Sequence, residues 1–145
     1  MISFITNVGS QLTAKALIAI ALATAGAIVV GMIYYAVLGK AWRRAASMTG
    51  EAARFSQSIS TYLISGACYA LVALALFGVT WHASGAAISL RASLIAAGLV
   101  WFGFVVGTAI ANHRFEGRPF SLTLIVAGHW FLVMLVQGAI IGLVA

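Results

Sequence analysis

The chain has 145 residues, of which 63% are hydrophobic and 7% are Asp, Glu, Lys or Arg, against about 25% charged residues in soluble domains. A water-soluble fold of this size exposes much of its surface, and ten charged side chains cannot cover it. The net charge of +6 comes from basic residues placed between apolar runs, not from a dense basic patch with polar neighbours, so nucleic acid is excluded as a partner and a lipid bilayer is the expected solvent.

Residues 1–14, MISFITNVGSQLTA, read as a short interfacial segment. An apolar run follows from Ala16 to Leu38, long enough to cross about 30 Å of hydrocarbon at 1.5 Å per residue. Lys15 and the small residues Ala23-Thr24-Ala25 imitate a signal-peptide cleavage site, but the run continues well past that point, so a retained span is expected. The segment 39–60 carries Lys40, Trp42, Arg43, Arg44 and Arg54. Within it Thr49 is an expected N-cap with Glu51 in the first turn, and Ala52, Phe55 and Ile59 share one helical face, so the second span is expected to start as a helix near Gly50.

The second span covers Thr61 to Thr80 and the third Ala92 to Asn112. Segment 113–120 holds Arg114, Glu116, Gly117, Arg118 and Pro119, and the fourth span runs from Ser121 to Ala145. None of the four spans contains Asp, Glu, Lys or Arg, and strand alternation is absent. The fold class is therefore an all-α membrane protein, a single domain of four transmembrane helices in an up-down bundle. Segments 39–60 and 113–120 lie on one side and hold six basic residues, against Lys15 and Arg91 on the other. The positive-inside rule puts the basic side in the cytoplasm and both termini outside.

Lipid is as apolar as leucine, so helices associate through small residues and hydrogen bonds. Three stripes of small residues are expected at helix contacts: Ala23, Ala27 and Gly31; Gly103, Gly107 and Ala111; Gly138 and Gly142. Cys68, the single cysteine, reads as a small buried hydrophobe.

Polar side chains inside hydrocarbon are costly and mark function or interhelical bonds. They gather toward the cytoplasmic half: Tyr34 and Tyr35 at the end of span one, Tyr69 in span two, Asn112 and His113 closing span three, and His129 in span four. Tyr69 and His129 fall at similar depth, so a hydrogen bond between them is expected. Gln137 is the one strongly polar residue of the outer half. Two carboxylates in the whole chain are too few for a di-metal bundle, and three or four zinc ligands are not in view, so no metal, cofactor or catalytic residue is assigned. A charged rim of Lys40, Trp42, Glu116 and Arg118 over the polar cluster would suit an anionic lipid or a small solute.

GMIYYAVLGKAW, from Gly31, resembles the first-helix signature of the domain of unknown function 1761 family at Gly31, Tyr35, Gly39, Lys40 and Trp42, with Tyr34 where Trp is usual and Leu38 where Phe is usual. FEGRPFSLTLIVAGHW, from Phe115, is similar to that family's Phe-Glu-Gly-Arg and last helix. The resemblance implies a small four-helix protein of the bacterial inner membrane, and it carries over no catalytic residue. Three functions follow in order: a non-enzymatic protein that transports or binds a small solute or lipid, as a homo-oligomer; a structural or accessory subunit of a larger membrane complex; and a membrane-embedded enzyme using His129, His113 and Glu116.

Overall fold

The computed structural model describes residues 14–85 and 87–145. Apart from Ala14, the interfacial segment expected at residues 1–14 lies outside the described residues. Four long helices form the fold: α1 (Ala14–Ala45), α3 (Ile59–Ala83), α4 (Leu90–Phe115) and α5 (Phe120–Val144), with a short α2 (Gly50–Phe55) between the first two. Each of the four is long and apolar enough to cross a membrane. No strand occurs among the described residues. The long helices extend beyond the apolar runs by two to seven residues at several ends, because the bases of segment 39–60 continue the α1 helix through Arg43 and Arg44.

Local chemistry sets the ends. Ser58 and Ser89 cap α3 and α4, each accepting a hydrogen bond from the backbone N–H three residues on, at 3.3 and 3.2 Å. At the end of α4, Gly117 sits at φ +67°, the N–H of Arg118 donates to His113 O and that of Gly117 to Arg114 O. This is a Schellman stop, after which Pro119 opens α5. The α1 terminus repeats the pattern with Met48 N–H to Arg43 O and Ser47 N–H to Arg44 O, but its left-handed residue is Ser47, at φ 54°.

Span two does not begin at Gly50 as the sequence suggested. Helix α2 stops at Phe55, and Ser56 and Gln57 turn the chain before Ser58 starts α3. Two competing Ser caps and a Gln in three positions favour local side-chain bonding over continued helix; Ser58 Oγ lies 2.9 Å from both Ser60 Oγ and Thr61 Oγ1. Thr49 occupies the N-cap position of α2 without a side-chain capping bond.

Helix α5 packs along α1 on one side and α4 on the other, and α3 packs on α1 and α4. The seam of α1 consists of Ala16, Ala19, Ala23, Ala27 and Gly31, all buried, while Leu17, Leu22, Val29, Met32, Ile33 and Val37 point outward. Small residues inside and large ones outside invert the order of a soluble core and suit a surround of lipid. Toward the end bearing Ser84 and Ser89, Leu76, Phe77, Met134 and Ile141 form the main apolar cluster. Cys68 is exposed on the outside of α3, not buried as expected, because the buried face of that helix runs through Tyr69, Ala73, Leu76, Phe77 and Thr80.

Within α4, residues Trp101–Val106 form a π-helical stretch that the sequence did not announce. The indole N–H of Trp101 donates to Ala127 O of α5 at 2.8 Å, and its ring meets Phe131 at 4.7 Å. Downstream, Thr108 Oγ1 donates back to the carbonyls of Phe104 and Val105, a bond that bends helices.

Candidate functional site

Helices α1, α3 and α5 converge on one cluster of aromatic and polar side chains. His129 lies nine residues into α5, about 14 Å along the axis from its first residue. Tyr69 lies ten residues into α3, and Tyr35 ten residues before the end of α1, so all three reach the same level. Tyr69 Oη and His129 Nε2 are 3.0 Å apart, the bond expected from their depth. The ring of Tyr35 lies 4.9 Å from that of His129, Tyr34 5.4 Å and Trp130 5.4 Å. Trp42 stacks edge-on against Tyr35 at 5.4 Å and extends the cluster toward the basic end.

Two glycines make the space. A Cβ at Gly31 would stand 2.5 Å from Tyr69 Oη and 3.5 Å from His129 Nε2, and one at Gly128 2.9 Å from Tyr34 Oη. Tyr34 Oη donates to Ile125 O at 2.9 Å, so the phenol of α1 fills the notch beside Gly128 and ties α1 to α5. The Gly31 of the first signature thus serves the His129 of the last helix.

His129 is 3% exposed, and its Nδ1 is buried without a hydrogen-bond partner. An unpaired buried polar atom costs about 1–3 kcal/mol. About two helical turns further along α5, Gln137 Nε2 donates to the backbone carbonyl of Tyr69 at 2.9 Å, while its Oε1 is unpaired, as is Ser93 Oγ on α4.

The remaining expected residues divide. Arg118 is half-buried in the turn between α4 and α5; it pairs with Glu116 at 3.3 Å and donates through Nη1 to Ala46 O at 3.1 Å. That bond ties the turn to the residue just after α1, while the bond from Tyr34 Oη to Ile125 O joins the two signature segments themselves. Lys40 is exposed. His113 is half-buried, its Nδ1 2.9 Å from Thr123 Oγ1, and Asn112 is exposed. The structure does not gather His129, His113 and Glu116 into one constellation: their partners are Tyr69, Thr123 and Arg118 respectively. Among the described residues no three His, Cys, Asp or Glu side chains could hold a metal ion.

Sequence reading missed Trp130, which meets Tyr69 at 5.7 Å, Thr123 and the notch at Gly128. The signal was present for the first and last: Gly128-His129-Trp130 is contiguous, and residues flanking a buried His on a helix are its nearest candidates for packing.

Of the three small-residue stripes, two are contacts. On α1, Ala23, Ala27 and Gly31 are buried. On α5, a Cβ at Gly138 would stand 3.0 Å from Ser93 O, and at Gly142 2.5 Å from Leu90 Cα. The third stripe is different: Gly103, Gly107 and Ala111 are exposed, and a Cβ at either glycine would meet nothing within 4 Å.

Residues 18–142 match the family described as Protein of unknown function (DUF1761). The chain belongs to the DUF1761 family. The match covers all four long helices except their outermost turns, so the aromatic cluster of this DUF1761 chain lies wholly within it. No curated protein and no solved structure matches the chain.

Proposed function

We propose that this DUF1761 protein binds, and as a transporter moves, a small solute or lipid at the cluster of Tyr34, Tyr35, Tyr69 and His129. The observation that carries this reading is the unpaired, buried Nδ1 of His129 at the centre of four other aromatic rings. Polar groups that serve only structure are paired in hydrocarbon, as Tyr34 is by Ile125 O of a neighbouring helix and Thr24 and Thr80 are by carbonyls one turn back in their own helices. Trp42, 5.4 Å from Tyr35, extends the cluster toward the basic end, whose Lys40 and Arg118 would suit an anionic lipid headgroup.

Lys and Arg placement makes that end cytoplasmic, with both termini outside and the bacterial inner membrane as the location. Cysteine scanning of residues 41 and 87 with a membrane-impermeant maleimide tests this: labelling of intact cells is expected at 87 and absent at 41.

The function is tested by native mass spectrometry of the protein purified in mild detergent. A small molecule or lipid is expected to stay with the wild type and to be lost in His129→Phe and Tyr69→Phe. Equal retention by all three forms refutes the reading.

A second reading, a homo-oligomer or a subunit of a larger membrane complex, is favoured by the outward stripe Gly103, Gly107 and Ala111, where another helix could approach closely.

A further inference from the structure

The unpaired nitrogen also says what kind of ligand it would take. Tyr69 Oη and His129 Nε2 share one hydrogen bond. A phenol is the stronger acid and an imidazole nitrogen the stronger base, so the phenol donates and Nε2 accepts. A neutral imidazole that accepts at Nε2 carries its proton on Nδ1. The orphaned atom is then an N–H donor, and what it lacks is an acceptor.

Water is a poor candidate for that acceptor. A buried water makes about three hydrogen bonds, and it needs two to four polar partners. The hydroxyl protons of Tyr34 and Tyr69 are committed to Ile125 O and His129, so neither donates to a water beside Nδ1. Beside Nδ1 this leaves Tyr35, whose hydroxyl makes no hydrogen bond among the described residues. A free anion is disfavoured too. The rings packed on His129 are uncharged aromatics, and Arg118, the cation of the nearby turn, is bonded there to Glu116 and Ala46 O rather than to the cluster. An acceptor that needs one hydrogen bond and is otherwise content among aromatic rings is a carbonyl oxygen on an apolar molecule.

We infer that His129 Nδ1–H, framed by Tyr35 and Trp130, is the anchor for the carbonyl oxygen of a membrane-dissolved ligand, either a phospholipid acyl ester or a quinone. Tyr35 is the cover. It is half-buried, its ring lies across His129 at 4.9 Å, and no hydrogen bond holds its hydroxyl. Its other neighbours are Tyr34 and Trp42, both met edge-on. Rotation of Tyr35 off the imidazole would bare His129 on the side of Trp42, whereas Tyr34 and Tyr69 are each pinned by a hydrogen bond. This inference rests on the binding function proposed above and narrows its ligand.

The test is nitrogen and proton NMR of the full chain carrying 15N-histidine, in nanodiscs. Three environments are compared: diether phosphatidylcholine, which has no carbonyl; the same with a short-chain benzoquinone added; and diester phosphatidylcholine. The chain has three histidines, so His82→Gln and His113→Gln together leave one ring to observe, without touching the cluster. In diether lipid Nδ1 is expected to carry a proton. Its signal is expected to shift downfield with quinone, with ester lipid, or with both, and the responding arm identifies the source. Tyr35→Ala is expected to increase the bound fraction at a given quinone concentration.

An Nδ1 without a proton in diether lipid overturns the inference, and so does a signal identical in all three environments. Either result leaves the binding function standing if the wild type still retains a compound that His129→Phe loses. Equal retention removes that function by itself, whatever the NMR shows.

Discussion

Helices α4 and α5 are nearly indistinguishable by composition and opposite in role. They have 26 and 25 residues, with mean hydropathy 2.2 and 2.1 in their most apolar windows, yet 17% of that window is buried in α4 and 39% in α5. Both carry glycines four residues apart. Those of α5 lie against Ser93 and Leu90, and those of α4 face outward with Phe102 and Phe104 exposed beside them. Hydropathy measures transfer from water to oil, and both helices make that transfer equally well. It does not choose between lipid and protein as the apolar neighbour, since the two are equally apolar. What separates α5 is its polar content: Thr123, His129 and Gln137 are all buried and all bonded to other helices.

The contrast can be broken most directly at the glycines. Gly142→Val places a side chain where a Cβ would already lie 2.5 Å from Leu90 Cα, and backbone cannot yield as a flexible side chain does. It is expected to cost about 3 kcal/mol or more, read as a lower midpoint in detergent unfolding. Gly107→Val on α4 is expected to stay within about 0.5 kcal/mol in a monomeric preparation, because nothing lies within 4 Å. A large effect there, seen only at high protein-to-lipid ratio, would show α4 in contact with a second chain.

A smaller effect is expected from the polar bonds of α5. Gln137→Leu removes one bond and also one unpaired oxygen, so a loss near 0.6 kcal/mol, the average for interhelical bonds in a membrane, is an upper figure. Tyr69→Phe and His129→Phe, taken singly and together, are expected to couple by about 1 kcal/mol in a double-mutant cycle. Additive losses would mean that the 3.0 Å bond does not hold the helices together.

An effect of the same order belongs to the basic end. Ser47 takes the left-handed position that Gly117 takes at the end of α4. Ser47→Gly is therefore expected to stabilise by about 1 kcal/mol, raising the thermal midpoint, while Gly117→Ser is expected to lower it.

Much of the site was legible because it depends on depth alone. Tyr69 and His129 lie at nearly equal distances from the starts of the second and fourth spans, which run in the same direction, and counting residues suffices to place them at one level. The pairing of Glu116 with Arg118 joins residues two apart in one turn, whereas the choice of Arg118 over Arg114 or the Lys40–Arg44 group rested on the folded chain. Rotation about each helix axis was not legible. Whether Cys68 or Tyr69 points inward, and whether the Gly103–Gly107 face meets a neighbour, depends on which helices surround it. The π-helical stretch at Trp101–Val106 adds to that uncertainty: one such stretch turns everything after it. His113 illustrates the same limit. It was grouped with His129 by chemistry, but the structure turns it to Thr123.

By itself, then, the sequence determined the solvent, the number of long helices and the approximate level at which each polar side chain sits, because these follow from the free energy of transfer and from 1.5 Å of rise per residue. The tertiary structure decided which face of each helix turns inward, that α5 and not α4 is the central helix, and that one nitrogen of His129 is paired and the other is not. Those depend on close packing between specific side chains, a contact free energy that no single helix carries alone.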